Sequence, residues 1–179
     1  LERTMSKGSA TFVESVYREN GTTVLGEHTM PFNEQGSGRY NAAHDTYTAA
    51  NNKKGGYSFE LFLHELGHAL GLDHPHNEET PFPGVGKGDA WSTGTYGFNT
   101  SVYTVMSYNH GLDGDNYHKD RGGAATPMAF DIAALQAMYG ANMKTAAGNT
   151  VYTLPGRNTP GTAYSCIWDA GGIDTINAS

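Results

Sequence analysis

The stretch His64-Glu65-Leu66-Gly67-His68-Ala69-Leu70-Gly71-Leu72-Asp73-His74 decides how the rest of the chain is read. His64 and His68 are four residues apart, so on an α-helix they project from one face, one turn apart, and both imidazoles can reach a single metal ion. Glu65 adjoins the first of them and can act on water at the metal without binding the metal itself. Gly71 is positioned to break the helix, so that the chain turns back and carries His74 to the same ion. Three protein ligands leave one position open for water, as a catalytic zinc requires. Two blander readings compete. An amphipathic helix with surface histidines is disfavoured by the added glycine and third histidine at their offsets. A structural zinc site is disfavoured because Glu65 sits where a base is needed and no fourth cysteine or histidine ligand is evident.

Working outward, the pattern predicts a helix from Ser58 to Leu70, capped by Ser58, with Phe59, Leu63, Leu66 and Leu70 as its buried face. Upstream, Ala10–Tyr17 and Thr22–Thr29 are rich in Val, Thr, Phe and Tyr and flank Asn20-Gly21, which reads as an antiparallel hairpin. A short strand is expected around Arg39–Ala42, and Asn51–Gly56 reads as a turn. Downstream, residues 75–99 hold prolines and glycines without a period, the mark of a long surface loop. A second helix is predicted over Thr126–Tyr139, with Thr126 as cap, Pro127 in the first turn, Gly140 as stop, and Ile132, Leu135 and Tyr139 on one apolar face. Short strands and turns follow, with a domain boundary expected near Asn142–Gly148.

Composition sets the limits. The 179 residues suffice for one domain with a sizeable core, or one domain and part of another. A formal net charge of -7 argues against nucleic acid as a partner, since phosphate binding needs a basic face. The single cysteine, Cys166, cannot form an internal disulfide and reads as a small buried hydrophobe. No apolar run approaches transmembrane length, so no membrane partner is expected. The first 30 residues carry no signal-peptide pattern. The chain begins at Leu1, which suggests a fragment or a processed form.

With these residues in view, the sequence resembles the metzincins, whose long zinc motif is followed by a methionine turn. Val105-Met106-Ser107-Tyr108 looks like that turn. His74-Pro75 together with Met106-Ser107-Tyr108 is similar to the serralysin family of bacterial proteases. The segments Asp131–Asn142 and Ile167–Thr175 (IWDAGGIDT) resemble the helix closing the serralysin protease domain and the opening of its calcium-binding β-roll. The likeness covers roughly Gly55 to the C-terminus. Only 63 residues precede His64, fewer than the family has there, and no glycine-aspartate repeats are seen.

The resemblance implies an α+β zincin fold, with a twisted sheet over a zinc-binding helix. Residues 1–142 would be the catalytic domain and 143–179 the beginning of a β-roll. It implies a secreted, extracellular, monomeric zinc endopeptidase acting on proteins and peptides. The zinc would be held by His64, His68 and His74, with Glu65 as general base. Tyr108 would be a ligand at rest that swings away to stabilise the tetrahedral intermediate, and Met106 an apolar floor beneath the histidines. A structural calcium is expected at Asp169, Gly171, Gly172 and Asp174, where the competing reading is an ordinary turn. His76 and His110 read as surface or cleft residues rather than ligands, while His28, His44 and His118 have no assigned role. Two alternatives stand beside this reading: a metallopeptidase of another metzincin branch, and a catalytically idle adhesion or inhibitory module on the same fold.

Overall fold

β-Branched and aromatic residues favour extended backbone, and the first such run forms strand β1 (Phe12–Tyr17). The computed structural model describes residues 11–31, 35–111 and 118–178, so Ala10, the expected first strand residue, lies outside it. Two further strands, β2 (Gly26–His28) and β3 (Gly36–Asn41), complete a sheet in the order β1-β3-β2. β1 runs parallel to β3, with Phe12 opposite Gly36, and β2 runs antiparallel to it, with Gly26 opposite Tyr40.

The expected β1–β2 hairpin is therefore corrected. Gly21 does bend the chain, at φ +81°, but β3 lies between the strands on either side. The side chain of Asn41, at the end of β3, fills the gap. Its Nδ2 donates to the Glu19 carbonyl at 2.8 Å, and its Oδ1 accepts from the Glu19 N–H at 3.0 Å. β3 also begins earlier than the expected Arg39.

Helix α1 (Tyr57–Ala69) carries the histidine motif. Ser58 is not its cap. Gly56 holds that position, and the buried Ser58 hydroxyl donates to the Thr46 carbonyl at 2.6 Å. The buried face is also not the leucine face. Ser58, Glu60, His64, Glu65, Gly67 and Ala69 are buried, while Phe59, Leu63, Leu66 and Leu70 are half-buried. The sheet covers α1 through Phe62, whose ring lies 4.3 Å from that of Tyr40. After α1, Gly71 adopts φ +93°, a conformation that suits glycine, and Leu72 N–H donates back to the Gly67 carbonyl at 2.9 Å.

Residues 75–99 form a loop with one 3-10 turn, Thr95–Gly97, as their composition suggests. Helix α2 (Ala129–Tyr139) starts later than expected. Its cap is Met128, and the first-turn carboxylate of Asp131 accepts the Met128 N–H at 2.7 Å. The Thr126 hydroxyl instead accepts the Cys166 N–H at 2.9 Å. Gly140 ends the helix at φ +82°. Of the expected apolar face, Leu135 packs on the core but Tyr139 is 62% exposed, its hydroxyl donating to the Leu70 carbonyl at 2.9 Å.

The core beneath α1 gathers Leu72, Val105, Met106, Ala124 and Met128, with Leu63, Leu135, Tyr164 and Cys166 packed against it. Cys166 is thus a half-buried free thiol in the packing role read from the sequence. Beyond α2, strands β4 (Val151–Thr153) and β5 (Thr175–Asn177) pair in parallel. Among the described residues no helix is long and apolar enough to cross a membrane.

Candidate metal centre

The three motif histidines come together. The side chains of His64 and His68 leave α1 on one face, and the turn at Gly71 swings His74 toward them. Nε2 of His64 and Nε2 of His68 each lie 3.1 Å from Nε2 of His74. The opposite nitrogens are committed. Nδ1 of His64 donates to the Val105 carbonyl at 2.7 Å, and Nδ1 of His68 to the Leu72 carbonyl at 2.9 Å. A ring that donates from Nδ1 carries its lone pair on Nε2, so lone pairs converge on one point.

That arrangement fits a tetrahedral zinc. Ligands about 2.0–2.1 Å from zinc stand about 3.3 Å from one another, close to the 3.1 Å seen here. Convergent lone pairs repel unless a cation lies between them. Burial, reinforced by His68, holds the His64 ring down at about 4, and burial with the two other histidines holds His74 at about 3. Burial also lowers His68. All three rings are therefore neutral near pH 7, the form that binds metal. Among the described residues this is the one group of three or more His, Cys, Asp or Glu side chains converging within 4.8 Å.

The floor is built from below. The loop Thr104–Tyr108 passes under α1 with Met106 only 2% exposed, its sulfur against Gly67, where any Cβ would collide with it. Asp131 of α2 pins this loop, accepting from the Val105 N–H at 2.8 Å and from the Thr104 hydroxyl at 2.5 Å. A continuous path thus runs from α2 through Asp131 and Val105 to Nδ1 of His64. Sequence reasoning missed Asp131, although an acidic residue in a helix's first turn is the signal that marks it.

A cavity of about 390 Å³ opens beside the histidines, lined by Glu65, His64, Tyr108, Trp91, Tyr57 and Glu60 among others. Glu65 is 4% exposed and lies against Gly26 of β2, where a Cβ would stand 3.3 Å from its Oε1. Burial, with Glu27 and Glu14 nearby, raises its carboxyl to about 7. The Tyr108 ring lies 5.0 Å from that of His74 and 5.6 Å from that of His64, and burial, then Glu65, raises its hydroxyl. His76 stacks on His74 at 4.8 Å without joining the three-histidine group, and His110 stands edge-on to Tyr57. His110 lines the cavity, while His76 is not among its lining residues. His28 pairs with Glu14, and His44 with Asp45.

The calcium candidates are arranged differently. Asp169 accepts from the Tyr152 hydroxyl at 2.5 Å and from the Gly171 N–H at 2.9 Å, and Asp174 accepts from the Thr150 N–H at 2.9 Å. Gly171 and Gly172 have φ of +153° and +128°, values that favour glycine. Ile167 is 44% exposed, and Trp168 donates to the Asn142 carbonyl at 3.1 Å.

Comparison with known proteins agrees with this geometry. The matrixin (M10 peptidase) family model matches residues 11–82. Serralysin C of Dickeya chrysanthemi is 37% identical over 166 residues, covering 83% of this chain and 32% of that protein. Serralysin G of the same organism is 33% identical over 199 residues, covering 96% of this chain and 40% of its own length. Metalloprotease AprA of Pseudomonas entomophila (strain L48) is 34% identical over 166 residues, covering 84% and 33%. The chain spans about a third of the length of the curated relatives it matches. Fold and site together define a zincin domain of the metzincin class. Within that class the chain is a serralysin-like metzincin.

Proposed function

We propose that this chain is the catalytic part of a zinc-dependent endopeptidase, hydrolysing peptide bonds without a covalent intermediate. The observation that carries the reading is the convergence of the Nε2 atoms of His64, His68 and His74, with His64 and the buried Glu65 carboxylate lining one cavity. His64, His68 and His74 would hold the metal through Nε2. Zinc bound there supplies a Lewis acid and lowers the pKa of water toward neutrality.

Glu65 takes the proton of the attacking water on its carboxylate and returns it to the leaving amine nitrogen. A carboxyl raised to about 7 is matched to proton transfer near neutral pH. Tyr108, by its position in the methionine turn, would add a further ligand at rest, and its hydroxyl, which burial keeps protonated in the metal-free chain, can donate a hydrogen bond to the developing oxyanion. The residues before β2, Thr23–Leu25, line the cavity and offer backbone to an extended substrate as an added strand.

Protease assay with and without a chelator separates this reading from an idle adhesion or inhibitory module. Glu65→Gln keeps the shape and should keep the zinc while cleavage of casein falls by at least ~10²-fold, the usual worth of a general base. Near wild-type cleavage by that variant rules out the mechanism.

The serralysin resemblance supports three finer statements. The protein is secreted, it works as a monomer on protein substrates, and residues 1–142 form the catalytic unit with 143–179 opening a β-roll. It also supports a calcium ion at Asp169, Gly171, Gly172 and Asp174, in competition with the hydrogen bonds those carboxylates already accept. Calcium should raise the melting temperature of the full-length protein, and less so in Asp169→Ala and Asp174→Ala. Equal stabilisation in all three proteins makes these aspartates ordinary turn residues.

A further inference from the structure

Trp91 stands in the wall of the cavity beside the histidines, and the chemistry above makes no use of it. It is 72% exposed. A tryptophan left in water forgoes the burial of a large apolar area, so an indole held out at a cavity wall is a surface prepared for contact.

The exposure is not that of a loose loop. The side chain of Asn109, the residue after Tyr108, donates from Nδ2 to the Ala90 carbonyl at 3.0 Å and to the Asn99 carbonyl at 2.9 Å. Asn99 is fully buried, and its Nδ2 donates to the Ser92 carbonyl at 2.7 Å. The Asn99 N–H donates in turn to the Thr93 carbonyl at 3.0 Å. The carbonyls before and after Trp91 are therefore both held by side-chain amides, one of them fixed to the methionine turn. This clamp sets the indole at a defined place relative to Tyr108, and a preorganised contact surface loses little freedom when a ligand binds.

The Trp91 and Tyr108 rings lie 6.4 Å apart with their planes inclined at 54°, and Tyr108 is itself 41% exposed. Two accessible rings inclined in this way form an open corner. Aromatic pairs favour offset-stacked or edge-to-face contacts at about 4.5–7 Å between centroids. A third ring in the corner can lie against one of the two and turn its edge to the other, contacts that an aliphatic side chain of the same size does not offer. Tyr57, Leu61 and Val24 supply further apolar surface in the same cavity. The corner also adjoins the metal centre, because the Tyr108 ring is 5.0 Å from that of His74 and 5.6 Å from that of His64.

We propose that Trp91 is a specificity-determining residue, which selects substrates that place an aromatic side chain against it and Tyr108, within two residues of the cleaved bond. The inference rests on the endopeptidase reading above.

The test is a peptide-library cleavage profile of the zinc-loaded full-length protein beside Trp91→Ala and Trp91→Phe. Wild type should favour Phe, Tyr or Trp over cyclohexylalanine, which has the size of Phe without its π-face, at one position within two residues of the cleaved bond. In Trp91→Ala the Phe:cyclohexylalanine ratio of kcat/KM should fall ~3- to 10-fold, the worth of one aromatic pair, and Trp91→Phe should keep most of the preference. Binding gives a second readout without turnover. A product peptide carrying 4-nitrophenylalanine should quench tryptophan fluorescence in wild type, and the quench should be lost in Trp91→Phe although Trp168 remains. Should Trp91→Ala fail to fold, the wild-type profile and the quench in Trp91→Phe still decide. A wild type with no aromatic preference overturns the proposal while leaving the endopeptidase reading intact. So does an aromatic preference that Trp91→Ala leaves unchanged, which would belong to Tyr57 or Tyr108 instead, and so does a quench that persists in Trp91→Phe. No cleavage of any peptide overturns both readings together.

Discussion

At Glu60, burial decides the protonation state before any substrate arrives. Its carboxyl is pushed from 4.5 up to about 7 by burial, with Ser101 and Ala124 opposing. The folded protein therefore holds a proton there that the unfolded chain has released between about pH 4.5 and pH 7. Stability from this group is fully present below pH 4.5 and is lost as pH rises through 7. A difference of this size corresponds to about 3 kcal/mol. Glu60→Gln cannot lose a proton, so it should gain stability over wild type at pH 8 and lose that advantage at pH 5. Urea unfolding at the two pH values measures it. An advantage equal at both pH values would show that Glu60 does not titrate abnormally.

Elements are held by single buried residues, and Asp131 is the clearest of them. Its carboxylate ties the start of α2 to the methionine turn by accepting from Thr104, Val105 and Met128, and Val105 in turn holds His64. Asp131→Ala leaves two buried N–H groups and one hydroxyl without their acceptor. Unfolding free energy should fall by about 3–5 kcal/mol. The milder Asp131→Asn keeps the shape, and its zinc affinity should drop by ~10-fold because the support of a ligand is loosened. Loss of stability with zinc affinity untouched would confine Asp131 to the fold.

The same elements explain what the sequence could convey. Both helices were legible because glycines at 71 and 140 end them and local spacing fixes their period. Which face α1 buries was not legible. A site that gathers His64, Glu65 and Glu60 inside turns the polar side inward and leaves Leu66 and Leu70 half-buried, against the usual pattern. The sheet misled for a different reason. Asn20-Gly21 is a strong local turn signal, but the partner of β1 is chosen at long range. Gly36 and Gly38 make β3 narrow enough to sit centrally, because a Cβ at Gly36 would come within 2.7 Å of the Phe12 ring. Glycine-rich β3 has the composition of a loop, so nothing local announces it as the middle strand.

For the molecule as a whole, the metal site is a cross-link between α1, the turn after it, and the floor loop that carries Val105. His64 and His68 come from the helix and His74 from beyond Gly71, so an ion shared by all three binds the folded state and finds no such arrangement in the unfolded chain. Binding to the folded form alone stabilises by RT ln(1 + [Zn]/Kd), about 2.7 kcal/mol when free zinc is 100-fold above Kd. For a chain of this size that is roughly 5–10 °C in Tm. Melting under buffered free zinc should therefore shift upward with the logarithm of the metal concentration, and elemental analysis should give about one catalytic zinc per folded chain. His74→Ala removes the ligand that draws the chain back after the helix, leaving two imidazoles on one face. Its melting temperature should barely respond to zinc over the range that saturates wild type, and its metal content should fall far below one. Acid provides an independent check on the same three rings. With His64 and His74 held at about 4 and 3 instead of 6.5, the zinc-free unfolded chain binds more protons than the folded one below about pH 6.5. The contribution of these two rings to the stability of the zinc-free protein should then decline as pH falls from about 6.5 to about 4, against the opposite contribution of Glu60 and Glu65, so it is read as a difference: stability should fall less, or rise more, in His74→Ala than in wild type. A wild-type Tm indifferent to zinc, together with an acid profile identical in His74→Ala, would show that these histidines do not act as one site.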